Sequence, residues 1–321
     1  MLERGGNAVD AAIATNAVMG LVEPQSNGIG GDLFAIVYEA RTGTLHGLNA
    51  SGWAPRGLTP ALLEIAGPRP RCRQSGIHTV TVPGAVAGWD ALRAQLGTLP
   101  MAGPAGARRS STPDEGLPGV GRHRRRTGPR STAKLAVRAW RQHDLPPGGR
   151  APRAGEMFRN PDLAASLRLI AAHGRAGFYE GQTADAILGD LAREGRHDDR
   201  RAISREFEPE WVEPISTTYR GWTVYELPPN TQGIAALMML NLMEAFPLAD
   251  YGFHSARALH VMIEAKKLAY ADMLRVCRRS RGSRRRRWRR CSTRRSRGDA
   301  RAAHRRRRAP RERRAVGRST A

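Results

Sequence analysis

Small and apolar residues near the start of the chain recur at the spacing of a helix. Asn7 precedes this run and Asp10 follows three positions later, a pair that predicts a capping box at the start of a helix over 7–22. The dipeptide Glu23-Pro24 ends the pattern. The face with the three-four spacing is expected to be buried, and it comprises Ala8, Ala11, Ala12, Thr15, Val18, Met19 and Val22.

The shorter apolar runs that follow are typical of strands. The stretch 33–38 and a return near 44–49 flank Arg41-Thr42-Gly43, and this arrangement predicts a β-hairpin. Another strand is predicted over Thr79–Val82, and Pro83-Gly84 ends it. The helix predicted after this break carries Val86, Trp89, Leu92 and Leu96 on one face.

A second ordered section begins near residue 149. Asn160, Pro161 and Gly174 have the positions of an N-cap, a first helical residue and a C-terminal glycine, which predicts a helix between them. The later elements predicted are a helix at 183–192, a strand at 222–227, a helix at 233–246 and a helix at 256–274 capped by Ser255.

Charge is distributed unevenly along the chain, which has a net charge of +24. Residues 275–321 contain 22 Arg and 2 acidic residues, and residues 102–150 contain 11 Lys or Arg and 3 acidic residues, so the rest is mildly acidic. Four divisions are predicted: an amino-terminal part at 1–101, an irregular basic insert at 102–148, a helical part at 149–274 and an arginine-rich tail at 275–321, which is expected to be disordered.

Three explanations of the basic segments remain open. Arginine clusters bind polyanions by neutralising phosphates, so nucleic-acid binding without sequence preference is one explanation. No RNA- or DNA-reading motif accompanies the arginines, and a solvated, self-repelling tail is the second. The third is that 102–148, 275–321 and the short stretch 196–205 are GC-rich codons read out of frame, which give mainly Arg, Ala, Gly, Pro and Ser. The abrupt change of composition favours the third explanation.

Several kinds of protein and site are disfavoured. No apolar run reaches the roughly 20 residues of a membrane span, and the first residues lack the features of a signal peptide. The chain as written is therefore predicted to be cytoplasmic. Three widely separated cysteines argue against a disulfide framework and against a structural zinc site. His260 and Glu264 stand four apart on a predicted helix, without a second such pair to complete a metal site.

The glycine-rich segment Asn27–Asp32 has the composition of a phosphate-binding loop but not its position. A dinucleotide fingerprint lies between a strand and a following helix, whereas here a predicted helix precedes the glycines and a predicted strand follows them. The segment is therefore expected to be a tight turn in which glycine adopts a positive φ.

Seven short stretches are specific when taken together, although each is weak alone. They are GGNAVDAAIA at 5–14, VEPQSNGIGG at 22–31, VTVPGAVAGW at 80–89, GEMFRNP at 155–161, GFYEG at 177–181, PPNTQG at 228–233 and HVMIEAKKLAYAD at 260–272. In this order and at roughly this spacing, they resemble the large-subunit portion of gamma-glutamyltranspeptidases (gamma-glutamyltransferases). The chain resembles a truncated and frame-disrupted member of that family.

The resemblance implies a fold, a reaction on a γ-glutamyl substrate, and a small subunit as partner. The fold would be α+β, a part of the αββα sandwich of N-terminal-nucleophile hydrolases that lacks the strands of the small subunit. The reaction would be transfer or hydrolysis of the γ-glutamyl group of glutathione-like substrates. It would pass through an acyl-enzyme on the threonine that begins the small subunit after self-cleavage. No metal or organic cofactor takes part in that chemistry.

Two departures from the family pattern bear on this chain. After residue 272, Thr293 and Thr320 stand in Cys-Ser-Thr-Arg and Arg-Ser-Thr-Ala, and neither matches the family's cleavage sequence. The catalytic nucleophile is therefore expected to be absent and the chain inactive alone, unless a separately encoded small subunit completes it. Many members have an arginine that binds the substrate α-carboxylate, and Ser51 occupies that position here. Serine cannot supply a bidentate clamp, which argues against glutathione itself as the substrate.

Overall fold

The computed structural model describes residues 1–23, 26–55, 58–59, 77–105, 117–118, 155–195 and 207–278. Three predictions fall wholly or largely outside the described residues, namely those for the basic insert 102–148, the stretch 196–205 and the arginine-rich tail 275–321.

Seven α-helices and seven strands form within the described ranges. The helices are α1 (Ala8–Val22), α2 (Ala85–Leu96), α3 (Pro161–His173), α4 (Ala176–Tyr179), α5 (Gly181–Arg193), α6 (Gly233–Met243) and α7 (Ala256–Arg278). The strands are β1 (Leu33–Glu39), β2 (Thr44–Ala50), β3 (Leu117–Pro118), β4 (Met157–Phe158), β5 (Glu210–Val212), β6 (Ile215–Tyr219) and β7 (Trp222–Glu226). Strands β1, β2 and β5 form one sheet in that order, whereas β3 pairs with β4 and β6 pairs with β7. None of these helices combines the length and the apolar character that a membrane span requires.

The predicted helix ends agree with the observed caps. The Asn7 side chain accepts hydrogen bonds from the first turn of α1, and the Asp10 carboxylate accepts the Asn7 N–H at 2.9 Å. The Asn160 side chain caps α3 by accepting the Leu163 N–H, and Pro161 is the first residue of that helix. Gly174 ends α3 with φ at +59°. These ends were predictable because each depends on residues within one helical turn.

The first compact unit comprises residues 1–34 and the described part of 49–210, and its core holds a buried carboxylate. Asp10 is completely buried. Besides the Asn7 N–H, its carboxylate accepts the Thr98 hydroxyl at 2.7 Å, the Thr98 N–H at 3.1 Å and the Leu99 N–H at 3.3 Å. Burial acts to raise the pKa of Asp10, but these hydrogen bonds outweigh it and the pKa is lowered. This carboxylate therefore ties the start of α1 to the chain that follows α2.

The second compact unit comprises residues 35–48 and the described residues from 211 onward. Strands β6 and β7 are antiparallel, with Ile215 opposite Glu226 and Tyr219 opposite Trp222. Helix α6 packs against both β6 and α7. The core between these elements contains Ile215, Ile234, Ala235, Leu237, Met238 and Ala269.

The buried face of α1 differs from the predicted one. The predicted residues lie at intermediate or exposed positions. The reason is that α1 is apolar on nearly every side, so that more than one face satisfies the spacing rule. The hydrogen bonds of Asp10 select the face that is turned inward. The buried residues are Val9, Asp10, Ile13, Ala14, Ala17 and Leu21.

Two other predictions are wrong. Thr79–Val82 is not a strand: Ile77–Thr79 form a 3-10 turn, and the residues from Val80 to Gly84 belong to neither a strand nor a helix. The segment Asn27–Asp32 does contain the expected turn, in which the Gly31 N–H donates to the Gly28 carbonyl at 3.4 Å, but the expected positive φ is wrong, since Gly28, Gly30 and Gly31 all lie outside that region. This segment is shaped instead by hydrogen bonds that involve Gly31.

Candidate functional site

Ser51 is the sequence-predicted site residue, and it directly follows the last residue of β2. It is 8% exposed, so most of its surface is covered. Its N–H donates to Oδ1 of Asn49 at 3.1 Å, a local bond that turns the chain as it leaves the strand. The backbone at Ser51 is thereby fixed.

Gly52 brings a second segment against Ser51. Its φ is +76°, and a Cβ atom at this position would overlap the carbonyl oxygen of Val82. The Val82 N–H donates to the Trp53 carbonyl at 3.0 Å, which holds the two segments together on the other side of Gly52. Glycine is therefore needed at position 52 both for its backbone conformation and for the close approach of Val82.

The start of α2 lies against the end of β2 through two glycines one turn apart. A Cβ atom on Gly84 would overlap the Ala50 carbonyl oxygen, and it would lie 3.1 Å from the Gly52 nitrogen. A Cβ atom on Gly88 would lie 3.0 Å from that of Ala50. The Pro-Gly-Ala-Val-Ala-Gly sequence thus provides a small-residue surface that lets α2 approach the chain around Ser51.

Backbone and side-chain partners satisfy the first N–H groups of α2. The N–H groups of Gly84 and Ala85 donate to the Gly31 carbonyl at 2.9 and 3.0 Å. The Tyr179 hydroxyl accepts the Ala87 N–H at 3.2 Å and donates to the Pro83 carbonyl at 2.6 Å. Tyr179 is 1% exposed, and this burial raises the pKa of its hydroxyl. This end of α2 is consequently engaged within the protein rather than open to a ligand.

Asp32 and Thr81 complete the group of residues near Ser51. The Thr81 Oγ1 atom would lie 3.4 Å from a Cβ atom on Gly52, and hydrogen bonding by the Thr81 side chain acts to lower the pKa of the Asp32 carboxyl. Asp32 remains exposed to solvent, yet partial desolvation raises the pKa of its carboxyl above the ordinary value. Among the described residues, no cationic side chain forms an ion pair with Asp32.

The structure thus brings together one predicted residue and two that sequence reasoning missed. Asp32 was visible as the single charge between a glycine-rich segment and a strand, and Thr81 as a hydroxyl just before Pro83-Gly84. Their mutual contact is not encoded by any local spacing. No group of three His, Cys, Asp or Glu side chains in the described part of the chain has the arrangement of a metal site. The arrangement is one of hydroxyls, backbone groups and one carboxylate.

Comparison with known proteins gives, along most of the chain, the family that the seven short stretches resemble. The sequence model described as Gamma-glutamyltranspeptidase matches residues 1–278. The chain is 34% identical over 276 residues to a protein of Bacillus subtilis (strain 168) named glutathione hydrolase-like YwrD proenzyme. That match covers 85% of this chain and 51% of the relative, so the chain spans about half the length of this relative.

Two solved structures resemble the protein closely. Cephalosporin acylase from Bacillus halodurans has a TM-score of 0.81 and 35% identity, covering 94% of this chain and 56% of that one. Gamma-glutamyltranspeptidase from Helicobacter pylori has a TM-score of 0.77 and 27% identity, covering 85% and 78%. The expected α+β fold, part of the N-terminal-nucleophile hydrolase fold, is confirmed by these structures. The polyanion-binding alternative receives no support from them. Since the family's sequence model extends over residues 1–278, the chain belongs to the gamma-glutamyltranspeptidase family.

Proposed function

We propose that this chain is the large-subunit part of an amide hydrolase or acyltransferase that acts on γ-glutamyl or closely related acyl amides. The family match over residues 1–278 is the observation that carries this proposal. The Bacillus subtilis relative is named a glutathione hydrolase-like proenzyme, which agrees with an enzyme made by cleavage of a precursor.

In the proposed reaction, a threonine hydroxyl oxygen attacks the amide carbonyl carbon of the substrate. The hydroxyl proton passes to the threonine α-amine and then to the departing amine, which leaves an acyl ester on the enzyme. Water or an acceptor amine then attacks the ester carbonyl and regenerates the hydroxyl. No cofactor is required for any of these steps. The threonine would come from a separately encoded subunit, or from sequence outside these 321 residues.

The residues of this chain would bind and orient the acyl group. Ser51 follows β2 at the position of the family's carboxylate-binding arginine, and its backbone is fixed by Asn49 and by the contact of Gly52 with Val82. A serine hydroxyl offers one hydrogen bond where a guanidinium offers two charge-assisted ones. The α-carboxylate of glutathione would therefore be bound weakly, and other γ-linked or δ-linked acyl amides become better candidates.

The first experiment is an independent determination of the encoding DNA through codons 95–155, 190–210 and from 270 onward. The proposal expects a reading frame that contains a threonine followed by a Thr/Gly-His type sequence, either joined to this chain or encoded downstream. The product of that reading frame would then be expressed together with the 321-residue chain and assayed for cleavage of a γ-glutamyl anilide and of the related acyl anilide that lacks the α-carboxylate. The matched control replaces that threonine with alanine.

Activity that requires both parts and the threonine would support the proposal. A complete downstream sequence without such a frame would count against it, and so would an assembled but inactive pair. Release of the anilide by the 321-residue chain alone would refute the predicted absence of the nucleophile.

The remaining assignments stay predictions. The four divisions at 1–101, 102–148, 149–274 and 275–321, and the cytoplasmic location, are proposals that the same expression experiment would begin to examine. A chain whose basic segments disappear on re-reading of the DNA would retain 1–101 and 149–274 as one continuous large-subunit part.

A further inference from the structure

We propose that the Asn27-Gly28 dipeptide is a site of spontaneous covalent modification, at which Asn27 is converted through a cyclic imide into aspartate and isoaspartate. The conversion also weakens the backbone contacts that hold the start of α2. This inference goes beyond the proposed function, because it concerns the reactivity of the chain itself and requires neither a substrate nor a second subunit.

The reaction needs a side-chain amide and the backbone nitrogen of the next residue. The Gly28 nitrogen attacks Cγ of Asn27, and the new N–Cγ bond closes an imide ring. The Cγ–Nδ2 bond breaks, and the proton lost from the Gly28 nitrogen departs on ammonia. Water then opens the ring. Cleavage of the new N–Cγ bond gives aspartate, whereas cleavage of the original peptide bond gives isoaspartate, in which the main chain runs through the side chain.

The glycine at position 28 makes the attacking nitrogen accessible. Asn27 is the only one of the chain's seven asparagines that a glycine follows. Neither residue of the pair lies in a helix or a strand. A Cβ atom on Gly28 would meet no atom within 4 Å from the rest of the described chain, its two neighbours apart. The backbone can therefore rotate here, without a Cβ to hinder the approach of the nitrogen to Cγ.

Hydrogen bonds restrain the two reacting groups weakly. Nδ2 of Asn27 donates to Oε2 of Glu23 at 3.4 Å, which is longer than the roughly 2.7–3.2 Å of a good N–H···O hydrogen bond. The Gly28 N–H donates to no other residue in the described part of the chain. Neither the leaving amide nor the attacking nitrogen is thus held in place by a strong contact.

Two other asparagines of the first described segments provide a contrast within the same protein. Oδ1 of Asn16 accepts the Trp89 Nε1–H at 2.9 Å, and Asn16 lies inside α1. Oδ1 of Asn49 accepts the Ser51 N–H at 3.1 Å, and Asn49 lies inside β2. An alanine follows each of them. Regular structure, a bound side chain and a following Cβ all oppose the cyclisation at these two positions.

Conversion of Asn27 changes the charge and the length of a segment on which α2 depends. The new carboxylate replaces an amide donor that faces the Glu23 carboxylate, so that like charges come together. Isoaspartate adds one carbon atom to the main chain between α1 and Gly31. The Gly31 carbonyl accepts the Gly84 and Ala85 N–H groups at 2.9 and 3.0 Å, and a displaced carbonyl cannot keep both bonds.

The test is incubation of the purified full chain at mildly alkaline pH, with peptide mass mapping at intervals after digestion in acid. Conversion replaces an amino group by a hydroxyl, and the mass increase locates the position, while aspartate and isoaspartate peptides separate by chromatography. We expect both products at Asn27, with Asn16 and Asn49 intact. Alanine meets no overlap at position 28, and Gly28→Ala should slow the conversion about tenfold, equivalent to a barrier about 1.4 kcal/mol higher.

Hydrogen exchange measured by NMR connects the conversion to α2. The Gly84 and Ala85 amides should exchange faster after incubation, whereas the Ala258 amide, which donates to Ser255 in the second compact unit, should not change. Asn27→Gln does not form the same ring readily, and its incubated sample should keep the original exchange rates. Loss of Asn27 no faster than that of Asn16, or an unchanged rate in Gly28→Ala, would overturn the modification site. Conversion without faster exchange at Gly84 and Ala85 would overturn its effect on α2.

Discussion

Removal of one buried hydroxyl should destabilise the first compact unit measurably. Tyr179→Phe keeps the ring and removes the group that bridges two backbone atoms of another segment. The hydroxyl donates to the Pro83 carbonyl at 2.6 Å and accepts the Ala87 N–H at 3.2 Å. Because Tyr179 is 1% exposed, both backbone groups would lose a partner in a place that bulk water does not reach.

The expected magnitude follows from the cost of unpaired buried groups. Each unsatisfied donor or acceptor costs about 1–3 kcal/mol, and two groups lose their partner, so the free energy of unfolding of Tyr179→Phe should fall by about 2–6 kcal/mol. Loss of apolar burial contributes nothing, since phenylalanine retains the ring. A surface substitution usually changes stability by less than about 0.5 kcal/mol, and the predicted loss is clearly larger.

Urea unfolding of the purified chain would measure this loss, with Tyr38→Phe as the matched control. Tyr38 is 64% exposed, and its variant should behave as the unmodified protein does. Hydrogen exchange gives a local measurement, in which the Ala87 amide should exchange faster in Tyr179→Phe while amides of α7 remain unaffected. A stability loss below about 0.5 kcal/mol for Tyr179→Phe would refute the assigned role of the hydroxyl.

Three further substitutions examine other contacts. Asp10→Asn should cost about 2–3 kcal/mol near neutral pH by removing charge-assisted hydrogen bonds. The pKa of Asp10 is lowered in the folded protein, so the stabilisation by its carboxylate is fully present above its ordinary pKa of 3.8. The stabilisation disappears as the pH falls through the lower, folded-state pKa, and the denaturation curves of variant and parent should therefore converge in acid. Gly52→Ala should cost about 3 kcal/mol or more, since it combines positive φ with overlap of the Val82 carbonyl. The matched control is Gly43, which has φ at +68° and open space around it, so that Gly43→Ala should cost only about 1 kcal/mol. Thermal melts of both variants would measure the two losses, and equal losses would contradict the overlap argument. Ser255→Ala should cost about 1 kcal/mol by removing the hydrogen bond from the Ala258 N–H to Ser255 Oγ at 3.1 Å, and circular dichroism during urea titration would detect it.

The contrast between helix ends and helix faces shows what the sequence could predict. The helix ends are confirmed as predicted, because each capping signal lies within one helix: Asn7 with Asp10 at the start of α1, and Asn160 and Gly174 at the two ends of α3. The inward face of α1 was predicted wrongly because it depends on Thr98, which is 88 residues from Asp10 along the chain. Strands β5 and β6 were not predicted, although the predicted bounds of β7, which pairs with β6, were nearly correct.

The candidate site was predictable only in part for a similar reason. Ser51 was found through its resemblance to a family motif, which supplies a position without a local physical pattern. Asp32 and Thr81 were overlooked because their hydrogen bond joins segments that no short spacing relates. Thr79–Val82 has the composition of a strand, but Val82 donates to the Trp53 carbonyl beside a glycine with φ at +76°. Tertiary contacts thus override the local preference there.

The chain segments around Ser51 form one mutually dependent set of contacts. The Gly31 carbonyl accepts two N–H groups at the start of α2, and the Tyr179 hydroxyl, 96 residues from Pro83, holds the same turn from another side. This places Gly84 against Ala50 and fixes Val82 beside Gly52. A change in any one segment should therefore move the others, since they share partners in a close-packed region. Tyr179→Phe should for this reason also alter the NMR signals of Ser51 and Asp32, although it touches neither residue.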